Sequence, residues 1–486
     1  MTLVRETVRG AIWTIAAGIC SRAIGLVGTL VVARFVAPAE YGEVTVAAVL
    51  VMTANQISSI GFGQYLVAKP DAPRSAAFHV TVLHVGLGVL AAVAVLGFGR
   101  FFGPILDAPG MTRFLPGLVL SGLIDRVAYV PERVLIRDLR FGAVSVARTV
   151  GDLAHTGVCV WLAAAGWGAA AIVMGNGSRS LLRAACFVFA VEARDWLEPS
   201  RLSTKTTREL LAFGIPLSLG GLLAFASRRW DNLLVSRFFG PGPTGMYNLA
   251  YNLADVPAIQ VGEQIGDVLL PSFARLEPRR RPEALVRSMD LLSLSVFPLA
   301  IGLGAIAPTL VDAVFDVRWR PLAPMLVLLS ALSVTRPIGW MVASYLQALH
   351  RPRLITWLEA FKVVILFVLV VTVGRINPLA TCAAVGAAFA AHALAALWVV
   401  RRIDGVPIGR LLAGPLAAIA ASVPMVAGVL AVRYLAGSVG LDQPIALLAA
   451  EVIVGAICYV AGAIVFARDS ALDFVAKVAD AVGVRA

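Results

Sequence analysis

Five arginines, Arg22, Arg126, Arg228, Arg229 and Arg336, and three aspartates, Asp125, Asp231 and Asp255, sit in stretches of sequence that are otherwise almost wholly apolar. The planar guanidinium of arginine presents a fork of donors that holds two phosphate or carboxylate oxygens at once. A carboxylate in the same low-dielectric surroundings can take up a proton or a sodium ion. A charged side chain at the middle of a bilayer costs about 2.5–3.5 kcal/mol on insertion scales, so such residues are kept where they face protein or water. The expectation is that the five arginines bind an anionic substrate and that Asp125, Asp231 or Asp255 couples transport to an ion. The intramembrane charges also include Asp152 with Arg148, the pair Arg179 and Arg183, Glu359 with Lys362, and Glu451. Arg148 with Asp152, and Glu359 with Lys362, read as local ion pairs near span ends.

The elements that must carry these charges are membrane spans. Of 486 residues, 59% are hydrophobic and only 14% are charged, too little polar surface for a soluble domain of this size. Apolar stretches long enough to cross a bilayer fall near 11–36, 43–66, 78–100, 114–131, 147–166, 168–190, 210–236, 245–270, 288–310, 322–348, 354–373, 378–400, 411–435 and 444–467. The fold class expected is therefore an all-α polytopic membrane protein with about 14 transmembrane helices. An even number of spans puts both termini on one side. The loops on that side carry 25 Lys and Arg against 8 on the other, which places both termini in the cytoplasm. The net charge of +12 has the same origin, so nucleic acid is not expected as a partner.

The chain also repeats itself. Laid over Thr207–Leu253 without a gap, Val4–Leu50 gives thirteen identities in 47 positions, among them Arg5/Arg208, Gly18/Gly221, Arg34/Arg237, Pro38/Pro241 and Gly42/Gly245. Chance would give roughly four. Spans 1 and 7 point the same way, so the repeat is parallel, as in secondary transporters whose substrate path lies between two like halves. The expected organisation is a six-helix lobe over residues 1–200, a second over 201–405, and two additional spans with an amphipathic tail over 406–486. Residues 192–209 form the cytoplasmic linker between lobes.

Enzyme signatures are missing. There is no phosphate-binding Gly-x-x-x-x-Gly-Lys-Ser/Thr loop, no His-Glu-x-x-His and no Gly-x-Ser-x-Gly. The five histidines are scattered and the five cysteines lie in apolar spans without a Cys-x-x-Cys, so neither metal site nor cofactor is expected.

The segments Val235–Pro241, Gly245–Ala250, Val268–Ala274 and Phe315–Pro321, with Arg140-Phe141 after span 4, carry a resemblance. With fourteen spans and two six-span halves, the chain resembles the polysaccharide-transporter (Wzx-type) flippases of the multidrug/oligosaccharidyl-lipid/polysaccharide exporter superfamily. The resemblance implies an alternating-access protein of the bacterial inner membrane. Its substrate would be an undecaprenyl-pyrophosphate-linked oligosaccharide for surface or exopolysaccharide assembly. Its further partners would be membrane lipids and a coupling proton or sodium ion. A lipid II flippase or cation-coupled drug exporter of the same superfamily is the second reading. A membrane polysaccharide polymerase or glycosyltransferase is a third, disfavoured because the first outer loop, about Ala37–Gly42, holds Glu40 alone.

Overall fold

Proline opens many of the helices, where its missing N–H costs nothing: Pro38, Pro352, Pro378 and Pro444 each stand in a first turn. Ser203 and Asn377 accept N–H groups of the turns they begin, and Gly405 closes helix Pro378–Asp404 in the left-handed region. The computed structural model describes residues 24–69, 73–257, 269, 272–439, 443–468 and 470–473. Most of these are helical, with no strand among the described residues.

Among the described residues, nine helices are long and apolar enough to cross a membrane, or ten if a bent pair counts as one span. The bent pair is Pro38–Ser59 and Phe62–Ala68, turned by 49° at Ile60-Gly61. Helices Phe141–Ala164 and Ala170–Ala190 occupy two further expected spans, and Ile24–Phe35 lies in the first. Helix Pro241–Pro257 begins the eighth, whose remainder lies outside the described residues together with Arg22 and most of the amphipathic tail.

The chain forms two compact units, Met1–Gly245 and Met246–Ala486. Helices Thr204–Arg229 and Asp231–Phe239, which the repeat assigns to the second half, belong to the first unit by their contacts. In that unit one core gathers Val46, Met111, Leu115 and Leu162, and another Phe62, Val134, Phe187 and Leu210. In the second unit the core runs through Met289, Phe297, Tyr345, Leu346 and Leu397. Large apolar side chains also point outward: Leu90, Trp357 and Phe189 are 66%, 74% and 88% exposed. An outward apolar surface of this kind suits hydrocarbon rather than water.

The linker between the expected lobes is docked rather than loose. The indole of Trp196, on the short helix Arg194–Leu197, is buried, and its carbonyl accepts from the Thr81 hydroxyl at 3.1 Å. The Ser203 N–H donates to His79 Nε2 at 2.7 Å, while His79 Nδ1 contacts the Ser75 carbonyl at 2.6 Å. That pair of contacts fixes the tautomer with its proton on Nδ1.

Candidate functional site: buried charges in each unit

Among the described residues of the first unit the most buried arginine is Arg126, on helix Leu115–Arg137 and 4% exposed. Its position follows from the break in the second span. Ile60 and Gly61 both take positive φ, 40° and 57°, which ends helix Pro38–Ser59 and strips its last carbonyls of intrahelical partners. Water cannot satisfy such carbonyls within a bilayer. Arg126 does: Nη2 donates to the Asn55 carbonyl at 2.8 Å, and Nη1 to the Ser58 carbonyl at 3.3 Å and the His84 carbonyl at 3.2 Å. The same guanidinium bonds the Ser58 hydroxyl and Asn55 Oδ1. Its positive charge lies at the negative end of the helix macrodipole, so the electrostatics reinforce the hydrogen bonds. Helix Thr204–Arg229 closes on the same break, leaving no room for a side chain on Gly214. A Cβ there would fall 1.9 Å from the Ile60 carbonyl oxygen.

Asp125, next to Arg126, is exposed, and Arg183, Ser180 and Arg179 interact with its carboxylate. Two turns on, Glu132 is buried at 6% exposure and accepts from Arg148 at 2.7 and 3.0 Å, with Arg183 at 4.0 Å. The carboxylate that Arg148 bonds is Glu132 on the neighbouring helix, where sequence spacing offers Asp152.

Arg228 is exposed and Arg229 half-buried at the end of helix Thr204–Arg229. Asp231, fully buried, begins the next helix, and its Oδ1 accepts from the Asn232 N–H at 2.9 Å and the Asn232 amide at 3.0 Å. An anion in a first turn is favoured by the free N–H groups there. Trp230 donates from Nε1 to the Thr53 hydroxyl at 3.0 Å, tying this junction to helix Pro38–Ser59.

In the second unit Arg336 and Asp255 form a buried ion pair, each 6% exposed. The guanidinium carbon stands 4.3 Å from the Tyr251 ring centre and 4.7 Å from that of Phe389. Phe389 also receives the Lys362 ammonium at 5.3 Å, and Lys362 contacts Glu359 at 2.7 Å, the local pair the spacing suggests. His392, buried, lies 3.9 Å from the other oxygen of Glu359. Further along, Glu451 is fully buried and accepts from Arg433 at 2.9 Å and from the Thr309 hydroxyl at 2.8 Å.

Sequence reasoning missed three of these groups, Glu132, His392 and Arg433, as partners. A search for acid–base pairs across neighbouring spans, rather than along one helix, points to them. Among the described residues no cluster of three His, Cys, Asp or Glu could hold a metal. What the two units offer chemically is salt-bridged charge in an apolar surround, with Arg228 and Arg229 the most accessible of the four arginines described.

Comparison with known proteins places this architecture. The chain is 25% identical over 378 residues to the lipopolysaccharide biosynthesis protein WzxC of Escherichia coli (strain K12), covering 77% of this chain and 76% of that one. It is 24% identical to the succinoglycan biosynthesis transport protein ExoT of Rhizobium meliloti (strain 1021), over 74% and 73% of the two chains. Among solved structures its fold is similar to that of the lipid II flippase MurJ in an inward closed conformation, with a TM-score of 0.73 at 14% identity, covering 94% of this chain and 99% of that one. The model of the polysaccharide biosynthesis protein family matches residues 31–324, more than half of the length, and the chain therefore belongs to that family.

Proposed function

We propose that this protein is an alternating-access flippase that moves an undecaprenyl-pyrophosphate-linked oligosaccharide across the bacterial inner membrane for surface or exopolysaccharide assembly. The observation that carries the reading is the family match joined to charged side chains kept inside apolar spans. A pyrophosphate and a sugar chain cannot enter hydrocarbon, and arginine forks in a wet chamber replace their hydration. The lipid tail stays in the bilayer. No bond of the substrate is made or broken, so the chain acts as a carrier and not as an enzyme.

On this reading fourteen spans form two parallel six-helix repeats, residues 1–200 and 201–405, followed by two additional spans in 406–486, with both termini cytoplasmic. Arg22, Arg228 and Arg229 face phosphate and sugar. Arg126, bonded at the end of helix Pro38–Ser59, and Arg336, paired with Asp255, hold helices within their own units. Asp125, Asp231 or Asp255 is the carboxylate at which a proton or sodium ion acts. The test is a knockout of the chromosomal copy, complemented by this chain, with lipid-linked intermediates assayed by leaflet. Accumulation of the intermediate in the inner leaflet, reversed by complementation, supports the reading. Unchanged leaflet distribution overturns it.

The likeness in fold to a lipid II flippase supports a second reading, in which the cargo is the peptidoglycan precursor. Rescue of a strain depleted of its lipid II flippase by this chain would favour it over the first.

A further inference from the structure

Arg133 stands seven positions after Arg126 on helix Leu115–Arg137, which runs unbroken through Pro131, so the two arginines share a helix face. Their donors are used differently. Those of Arg126 are taken up by the carbonyls of Asn55, Ser58 and His84. Arg133 is half-buried, and its Nε is buried without a hydrogen-bond partner. The acids beside it in sequence are engaged elsewhere: Glu132 with Arg148 at 2.7 Å and Arg183 at 4.0 Å, and Asp138 with Arg137 at 2.9 Å. Among the described residues no carboxylate pairs with Arg133.

What holds this side chain is an aromatic ring. The guanidinium carbon of Arg133 lies 5.0 Å from the centre of the Tyr129 ring, one turn back on the same helix. Tyr129 is itself fixed. The His84 imidazole stacks on it, with 4.1 Å between ring centres and 17° between planes. The phenolic oxygen accepts from the Gly63 N–H at 3.2 Å, and its hydroxyl donates to Gln64 Oε1 at 3.2 Å. Gly63 permits the approach, since a Cβ there would lie 2.6 Å from the phenol ring. Gln64 is exposed, and its amide nitrogen is left as a donor. Two donor groups are thus mounted on one plate, Arg133 at the ring and Gln64 at its hydroxyl. Each stands four residues, or about 6 Å, before the end of its helix, Leu115–Arg137 or Phe62–Ala68.

We propose that Arg133 and Gln64, set by Tyr129, form a subsite for a lipid-borne phosphate. On the topology proposed above, the ends of these two helices lie at the headgroup level of the inner leaflet, where phosphate is the abundant anion. The guanidinium fork of Arg133 holds two phosphate oxygens, and the Gln64 amide donates to a third. Tyr129 is a positioning residue: its ring keeps the guanidinium from turning away, and its hydroxyl keeps Gln64 beside it. Two molecules carry this chemistry, the pyrophosphate-bearing cargo and an anionic phospholipid. The first source rests on the flippase reading, whereas the second does not.

The test uses the full chain in dodecyl maltoside, a detergent without phosphate. Native mass spectrometry measures its affinity for phosphatidylglycerol and, separately, for undecaprenyl pyrophosphate. Arg133→Gln should weaken binding of at least one of them by about tenfold or more, the usual worth of a charge-assisted pair. Arg133→Lys should fall between wild type and Arg133→Gln, since an ammonium keeps the charge but not the fork; it also serves should Arg133→Gln fail to fold. Arg137→Gln, one turn further and paired with Asp138, is the matched control and should bind as wild type. Tyr129→Leu should weaken binding, and Tyr129→Phe, which keeps the ring, should recover part of the loss at an unchanged melting temperature. A loss confined to undecaprenyl pyrophosphate identifies the cargo as the source, and one confined to phosphatidylglycerol identifies a phospholipid. Equal affinities of wild type and Arg133→Gln for both lipids overturn the site. An equal loss in Arg137→Gln also overturns it, since binding would then be general attraction to a basic surface. The knockout assay decides the flippase reading separately. If that reading falls, the cargo source falls with it, while the phosphatidylglycerol measurement still decides whether the subsite exists.

Discussion

Gly42 and Gly245, 203 positions apart and matched in the sequence repeat, occupy each other's side-chain space. A Cβ on Gly42 would lie 1.8 Å from the Pro241 carbonyl oxygen and 3.0 Å from the Gly245 nitrogen. A Cβ on Gly245 would lie 2.1 Å from the Pro38 carbonyl oxygen and 2.9 Å from the Gly42 nitrogen. The contact is reciprocal: each residue meets the partner's equivalent proline. Both glycines serve one close approach of backbones.

Gly42→Ala and Gly245→Ala should each destabilise the protein by about 1–3 kcal/mol, the usual cost of overpacking. Backbone atoms cannot rotate aside as a flexible side chain could. Since both substitutions force open one contact, the double variant should cost clearly less than the sum. Thermal unfolding in detergent of the four proteins measures this; strict additivity would refute the shared contact.

Arg126→Ala should lower stability by about 1–3 kcal/mol, because it takes the guanidinium donor from the Ser58 carbonyl at the end of helix Pro38–Ser59. Arg126→Lys should recover part of that loss, since an ammonium reaches fewer of the acceptors. Arg228→Ala, at an exposed position, should change the melting temperature little and transport strongly. If Arg228→Lys transports as wild type, two-oxygen recognition by that residue is ruled out.

Glu451→Leu should destabilise more than Glu451→Leu combined with Arg433→Leu. Removing the carboxylate alone strands a guanidinium that otherwise bonds Glu451 and the Ala305 carbonyl, at 2.9 and 2.7 Å. Removing both leaves an apolar contact between helices. The order of the two melting temperatures decides the matter.

His79→Phe should free the Ser203 N–H and loosen the start of helix Thr204–Arg229, at a cost of about 1 kcal/mol. Hydrogen exchange over residues 203–206 should quicken while the core of helix Arg74–Ile105 stays protected. Uniform acceleration over both would mean that His79 serves packing alone.

Reporter fusions after Ala486 and within Arg279-Arg280-Arg281 should both give cytoplasmic signals, as the 25-to-8 bias of Lys and Arg requires. An extracytoplasmic signal from either contradicts the fourteen-span topology.

Span existence was legible because hydropathy is a local property: each expected stretch that lies in the described residues contains a helix. The family was legible through the segments around Val235–Pro241 and Phe315–Pro321, which lie within the region its model matches. Charge pairing was only partly legible. Glu359 and Lys362 share one helix turn, and spacing finds them. Glu132 with Arg148, and Arg433 with Glu451, depend on how two helices are rotated against each other, which a single sequence does not carry. The break at Ile60-Gly61 was also hidden, because a β-branched residue at positive φ is opposed by every local rule. Packing from other helices holds it there.

That break has a consequence for how the protein is made. The Ser58 carbonyl comes from the second span, but its side-chain donor, Arg126, comes from the fourth. A nascent chain inserted only as far as the second span has no such donor, and hydrocarbon supplies none. Until Arg126 arrives, the cheaper shape for that span is an unbroken rod. The elbow would then form when the fourth span joins its neighbours, a change of shape inside the membrane after the second span has been threaded.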